Sequence, residues 1–228
     1  MCEVIILTVI PELEQTEFDK LLLLICPEKQ KRIKRFHFYR DARNALLGDI
    51  IVRTEICRIT GLNNKQLEFS TNKYGKPYLA NLTKEGTGTY PPIDFNISHT
   101  GHYIACAVAD KPVGIDIESI NPVDLKIAER FFAPDELTYI NDGPQTERFF
   151  EIWTKKESRI KWEGKGLSIP LPSFSVFDLK EMDKPAYYET FHNDEVICHI
   201  CLCDNDKPSV KTIDTSGLQQ QLKWLEEE

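Results

Sequence analysis

Residues 113–118, Val-Gly-Ile-Asp-Ile-Glu, alternate apolar Val113, Ile115 and Ile117 with Gly114, Asp116 and Glu118, the period-2 pattern of a half-buried strand. One face belongs to a core. The other carries two carboxylates about 6.6 Å apart along the strand, which read either as a solvated strand face or as a pair close enough to turn toward a common point that suits a hard cation. Gly114 is expected to keep that face open beside the acids, where a ligand could approach the backbone. Over residues 145–164 the period becomes helical: Phe149, Ile152, Trp153, Lys156 and Ile160 fall on one stripe, and Gly164-Lys165-Gly166 supplies a stop. Glu157 and Lys161, at i and i+4, share a face of that helix. They read either as a surface ion pair or as a third carboxylate with a lysine one turn on, the set a Mg²⁺ site for phosphate chemistry would use.

The same patterning predicts a strand over 4–9 that Pro11 ends, a helix over 12–25 broken at Cys26-Pro27, and a helix over 41–59 stopped by Gly61. Residues 67–70 and 78–79 flank the turn Asn72-Lys73-Tyr74-Gly75-Lys76-Pro77, whose lysines are expected to point outward. Residues 84–92, with two Gly and two Pro, read as an inserted loop. Residues 94–101 begin as an alternating strand and end in the polar turn Ser98-His99-Thr100-Gly101, which can present a ring nitrogen and backbone N–H groups to an anion. A buried strand follows over 103–109, and Asp110-Lys111-Pro112 turns the chain into the acidic strand. The boundary between two halves, 1–110 and 111–228, is placed there. Helices are expected over 125–132 and from Pro134, then strands over 174–177, 186–191, 196–203 and 209–213, and a short acidic helix or tail from 218.

The 228 residues, 41% hydrophobic and 28% charged, are enough for one large domain or two halves. A net charge of −8 argues against a general nucleic-acid binder. No apolar run reaches the ~18–20 residues of a membrane span, and the first residues lack the basic start and cleavage site of a signal peptide, so a soluble cytoplasmic protein is expected. Seven cysteines, an odd and scattered set, fit reduced thiols better than a disulfide framework. The cluster Cys198, His199, Cys201, Cys203 invites zinc, but on a strand Cys198 points away from Cys201 and Cys203, and a buried strand is the better reading. Against the acidic background, Lys29, Lys31, Arg32, Lys34, Arg35, His37, Arg40 and Arg43, broken by Phe36, Phe38 and Tyr39, make either a positive patch or a solvated helix face.

Five spaced stretches occur in order: A-R-N-A-L-L-G-D-I-I-V-R at 42–53, Tyr-Gly-Lys-Pro at 74–77, Phe-Asn-Ile-Ser-His at 95–99, Gly-Ile-Asp-Ile-Glu at 114–118, and Trp-Thr-Lys-Lys-Glu-Ser at 153–158 with Lys161 and Gly164-Lys165-Gly166. With them the chain resembles 4'-phosphopantetheinyl transferases of the surfactin-synthetase-activating type, over residues 29–170 at least. The resemblance implies an α+β monomer of two similar halves related by a pseudo-twofold, with the active site in the cleft between them. It implies an enzyme that moves phosphopantetheine from coenzyme A to a serine of an acyl or peptidyl carrier protein, leaving 3',5'-ADP. From charge and hydropathy neither nucleic acid nor a membrane is expected as partner. By the same resemblance Asp116, Glu118 and Glu157 would bind Mg²⁺, with Mn²⁺ an alternative. Glu157, directly or through a metal-bound water, would take the serine proton, and Lys161 would hold the phosphate and stabilise the leaving oxygen. Lys29, Arg32, Lys76, Ser98 and His99 would grip the nucleotide phosphates, and Tyr74, Gly75, Pro77 and Thr100 would complete the coenzyme A site. Lys156 would either join them at the phosphates or, the better reading, support the fold.

The chain departs from the pattern where family members carry Arg and then Ser or Thr before Leu-Leu-Gly; here Asn44-Ala45 stands, with Arg43 one residue early. A hydroxyl contact to the 3'-phosphate is therefore missing, and Arg43 is the candidate to replace the arginine. Two other readings use the same residues: a Mg²⁺-dependent pyrophosphate hydrolase, and a non-enzymatic module docking RNA or an acidic partner on the basic segment. Both leave the Ser98-His99 turn and Lys76 unexplained.

Overall fold

The structure is a computed structural model and describes residues 1–82, 92–178, 186–203 and 207–226. The inserted loop expected over 84–92 lies outside the described residues except for Pro92. The first strand, β1 (Cys2–Thr8), leads into α1 (Gln15–Leu22), α2 (Pro27–Ile33) and the long α3 (Tyr39–Thr60). Gly61, at φ 70°, ends α3 in the left-handed conformation that only glycine adopts without a Cβ penalty. A small hairpin, β2 (Phe69–Thr71) and β3 (Pro77–Leu79), precedes β4 (Asp94–Thr100), β5 (Tyr103–Ala109) and β6 (Val113–Ser119). Then come α4 (Lys126–Phe131), α5 (Pro134–Asn141), α6 (Gln145–Glu163), β7 (Ala186–His192), β8 (Val196–Leu202), β9 (Ser209–Asp214), α7 (Thr215–Gln221) and α8 (Lys223–Glu226).

Two similar α+β halves result. One sheet runs β4-β5-β1-β9 and the other β6-β8-β7. Because side chains alternate across a strand, each sheet has two faces to cover. On the first sheet Ile5, Leu7, Ile104, Cys106 and Val108 pack under Leu46, Leu47, Ile50 and Ile51 of α3. Its other face, Val4, Ile6, Ala105 and Ala107, meets Val113, Ile115, Ile117, Cys198 and Ile200 of the second sheet. The outer face of the second sheet is covered by α6, whose stripe residues Phe149 and Ile152 also join Ala128, Phe132, Ile140 and Val176. The order is therefore helix, sheet, sheet, helix, with the two halves joined by an apolar seam.

Three expectations fail here for physical reasons. The strand over 209–213 forms, but β9 pairs parallel to β1 in the first sheet, and Leu218 and Leu225 enter the first core, so a half drawn as 111–228 loses its end to the other half. Residues 174–177 are not a strand: Lys156 Nζ takes the carbonyls of Leu171 and Phe174, and Glu136 takes the Val176 N–H, which replaces a ladder with side-chain partners. The Ser98-His99-Thr100 turn is also strand, since β4 pairs with β5 as far as Thr100 and the chain reverses only at Gly101, φ 52°. All seven cysteines are free, and His199 bonds Thr154 through Nδ1 at 2.8 Å. Among the described residues no helix is long and apolar enough to cross a membrane.

Candidate active site

The two halves meet along the edges of β4 and β6 through side chains. Asp94 Oδ2 accepts the Val113 N–H at 2.8 Å, Asn96 Oδ1 accepts the Ile115 N–H at 3.1 Å, and Ser98 donates to Asp116 Oδ1 at 2.9 Å. These are the polar alternates of β4, so the pattern that makes Phe95 core also aims residues 94, 96 and 98 at the seam. Asp94 and Asn96 escaped the sequence reading, although their period-2 spacing with Ser98 was the signal.

Lys161 reaches the same point from α6. Its ammonium donates to Asp116 Oδ1 at 2.6 Å, to Ser98 Oγ at 2.9 Å and to the Ile115 carbonyl at 3.1 Å. The helix can come this close because of Gly114. A Cβ there would stand 1.9 Å from the Ser158 carbonyl oxygen and 2.3 Å from the Trp162 nitrogen. Gly114 thus serves helix packing and does not hold the face open for a ligand, contrary to expectation. Asp116 is likewise no surface acid, being 3% exposed.

The three carboxylates feel one another. Burial first and then the Asp116 charge push the Glu118 carboxyl up to about 7, and the same two causes raise that of Glu157. Asp116 Oδ2 is buried without a hydrogen-bond partner. An orphaned oxygen among carboxylates that resist ionising suits a cation, and hard oxygen donors suit Mg²⁺. As they stand, no three His, Cys, Asp or Glu among the described residues are gathered closely enough to hold a metal ion. Lys161 brings a positive charge against Asp116. His99 is exposed; partial desolvation and then the Lys161 charge hold its ring below the usual imidazole range, which favours its neutral form.

The remaining residues expected at the site fall into separate groups. Lys76, expected to point outward, turns in to Asp94 Oδ2 at 2.7 Å and the Val113 carbonyl at 3.1 Å. Its turn is tied to the end of α6, since Asn72 donates to the Gly164 carbonyl at 2.8 Å. In that turn Tyr74 is exposed, Gly75 takes φ 91°, and Pro77 starts β3. Thr100 shares a hydrogen bond with Ser119 at 2.9 Å. Lys29 is paired with Asp49 of α3, which also holds Arg53, while Arg32 is exposed. Arg43, 1% exposed, bonds Glu12 and the Asn44 side chain, and both Arg43 and Asn44 donate to the Gly101 carbonyl, at 3.2 and 3.1 Å. The residues at the family departure therefore brace the β4–β5 turn. Lys156, 0% exposed, is a buried support as expected, paired with Glu136 at 2.8 Å.

Residues 12–111 match the family model of the 4'-phosphopantetheinyl transferase N-terminal region, and residues 112–216 match that of the 4'-phosphopantetheinyl transferase superfamily. The chain is 40% identical over 194 residues to 4'-phosphopantetheinyl transferase Sfp of Bacillus subtilis, covering 80% of this chain and 83% of that one. It is 37% identical over 179 residues to 4'-phosphopantetheinyl transferase gsp of Aneurinibacillus migulanus, covering 77% and 71%. To the human L-aminoadipate-semialdehyde dehydrogenase-phosphopantetheinyl transferase it is 32% identical over 171 residues, covering 70% and 54%.

Proposed function

The chain belongs to the 4'-phosphopantetheinyl transferase superfamily, and on that premise we propose that it moves 4'-phosphopantetheine from coenzyme A to a serine of an acyl or peptidyl carrier protein. The observation that carries the reading is the meeting of Lys161, Ser98 and Asp116 at the seam between the halves, with Glu157 one helical turn before Lys161. In the reaction the serine oxygen bonds to the phosphorus that bears pantetheine, the bond from that phosphorus to the ADP oxygen breaks, and 3',5'-ADP leaves. The serine proton goes to Glu157, whose raised carboxyl is a better acceptor near neutral pH than an ordinary one. Lys161, once drawn from Asp116 by a more negative partner, stabilises charge on the departing oxygen. Ser98 donates to whichever anion stands there, and the His99 ring offers a further hydrogen bond.

Asp116, Glu118 and Glu157 would hold Mg²⁺, or Mn²⁺ in its place; the buried, unpartnered Asp116 oxygen and the raised carboxyls support that fit. When bound, the ion neutralises pyrophosphate charge and polarises the reacting phosphorus. Lys29, Arg32 and Lys76 are the cations proposed for the nucleotide phosphates, and Lys29 and Lys76 must leave Asp49 and Asp94 to serve. Incubation with coenzyme A, Mg²⁺ and a panel of apo carrier proteins, read by intact mass, tests the reading. One added phosphopantetheine at the carrier serine is expected. Hydrolysis of coenzyme A without mass gain on any carrier would replace the transferase by the hydrolase.

A further inference from the structure

Seven of the chain's 28 Lys/Arg but one of its 36 Asp/Glu fall in residues 29–43, so an acidic protein carries one strongly basic segment. Lys29 and Arg43 are committed to Asp49 and Glu12. The others lie on a surface with no buried residue from 34 to 40. Lys31, Lys34 and Arg35, at i, i+3 and i+4, share the solvent side of α2 and its end, while Ile33 is turned into the core. Phe36 and Phe38 stand among them 40% and 63% exposed. Tyr39 contrasts with them: its hydroxyl donates to the Leu13 carbonyl at 2.7 Å and its ring lies on Phe18, so it is anchored. Exposed aromatic rings set among cations have the composition of a protein-docking surface more than of a solvated helix face.

The segment adjoins the candidate active site. Phe38 precedes the first turn of α3, and one turn on Arg43 and Asn44 grip the Gly101 carbonyl, two residues from His99. The His99 ring feels the charges of Lys161, Asp41 and Arg43 together, so the start of α3 borders the seam where Lys161 and Asp116 meet. The rest of the chain is net negative, so an acidic partner gains most at the basic segment. A partner guided to the basic segment therefore arrives beside the reacting groups.

We propose that Lys31, Lys34, Arg35, Phe36 and Phe38 dock an acidic face of the acceptor protein, with Phe38 seated among apolar side chains there, so that the enzyme selects acceptors bearing Asp and Glu beside the serine. The proposal rests on the transfer reading, because it needs a protein acceptor. Charges at the rim of an interface act on association and are screened by salt, whereas the buried ring acts on residence. The test uses a modified carrier, the same carrier with its acidic residues near the serine changed to amides, and the variants K31E/K34E/R35E and F38A, none of them at a reacting group. With the acidic carrier at low salt, the triple variant should raise KM for carrier about tenfold or more and F38A several-fold, while kcat and KM for coenzyme A stay within about twofold. The difference should vanish at high salt for the triple variant and with the amide carrier, which the wild-type protein should use less well. An unchanged KM for carrier overturns the docking surface. So does a rise in KM for coenzyme A alone, which would assign the segment to the nucleotide, or loss of RNA binding with KM for carrier unmoved. If the wild-type protein modifies no carrier, the transfer reading fails and takes the docking proposal with it; if it modifies carriers with unmoved KM in the variants, only the docking proposal fails.

Discussion

Replacing Gly114 by alanine drives a methyl group into the backbone of α6. Its Cβ would lie 1.9 Å from the Ser158 oxygen, 2.3 Å from the Trp162 nitrogen and 2.9 Å from the Trp162 Cα, none of which can rotate away. Regaining an ordinary contact means parting strand and helix by about 1.5 Å in an interior packed like a crystal. Overpacking of this kind costs about 1–3 kcal/mol, and for a chain of this size that lowers Tm by roughly 2–12 °C. The contacted residues directly follow Glu157 and Lys161, so the displacement is felt where both groups are positioned. A misplacement of about 1 Å at a reacting group costs about 100-fold in rate. Thermal melts and transfer rates of Gly114→Ala, beside Gly143→Ala, measure both effects. At Gly143 the three atoms nearest a new Cβ belong to the Arg148 guanidinium, a side-chain end that can swing aside at the cost of its contacts with Tyr139, and a smaller change is expected. A Gly114→Ala protein that melts and turns over like wild type would refute the close crossing of α6 over β6.

Because the Glu118 carboxyl is raised, from an ordinary 4.5 to about 7, it favours the folded state while protonated, fully below pH 4.5, and that contribution is lost as pH rises through 7. The metal-free protein should lose stability across that window, and Mg²⁺, which offsets the ionised carboxylates, should raise Tm more at about pH 8 than at about pH 5.5; a shift independent of pH would count against a site built on Glu118. Lys156→Met leaves Glu136 charged and buried and should cost about 3–5 kcal/mol in urea melts, whereas Lys156→Met with Glu136→Leu should recover part of it; equal losses would mean the pair is not coupled. Lys29→Ala and Arg32→Ala should each weaken coenzyme A more than dephospho-coenzyme A, by about 1.5–3 kcal/mol per well-formed contact, in calorimetric titrations. Arg43→Ala should instead lower Tm, since its guanidinium is held by Glu12, Asn44 and Gly101; equal losses for both ligands would remove Lys29 and Arg32 from the 3'-phosphate.

The elements whose signal is local were legible in the chain itself. The stripe of α6 and its stop at Gly164, the stripe of α3 and its stop at Gly61, and the alternation in β6 all depend on neighbours within one or two turns. Motif order was enough to indicate the family, because each motif is a short run of adjacent residues. Partners remote in sequence were not legible. Lys76 turns in because Asp94 and the Val113 carbonyl wait across the seam, and residues 174–177 avoid a strand because Lys156 and Glu136 take their backbone groups. Arg43 is buried because Glu12 and the Gly101 carbonyl are there to receive it.

Alternation determined that Asp116 and Glu118 share a face of β6, and helical spacing that Glu157 and Lys161 share a face of α6. Only the tertiary structure decided that the two faces meet. That closure depends on the missing side chain at Gly114, which lets backbone touch backbone, and on Ser98, carried in by a strand of the other half to bridge Lys161 and Asp116. It also decided that β9 lies beside β1, more than 200 residues away in the chain, where hydrogen bonding between strand edges, and no local preference, sets the partner. A residue's own neighbours in sequence set its local geometry, but its charge state and its partners follow from what the fold packs against it.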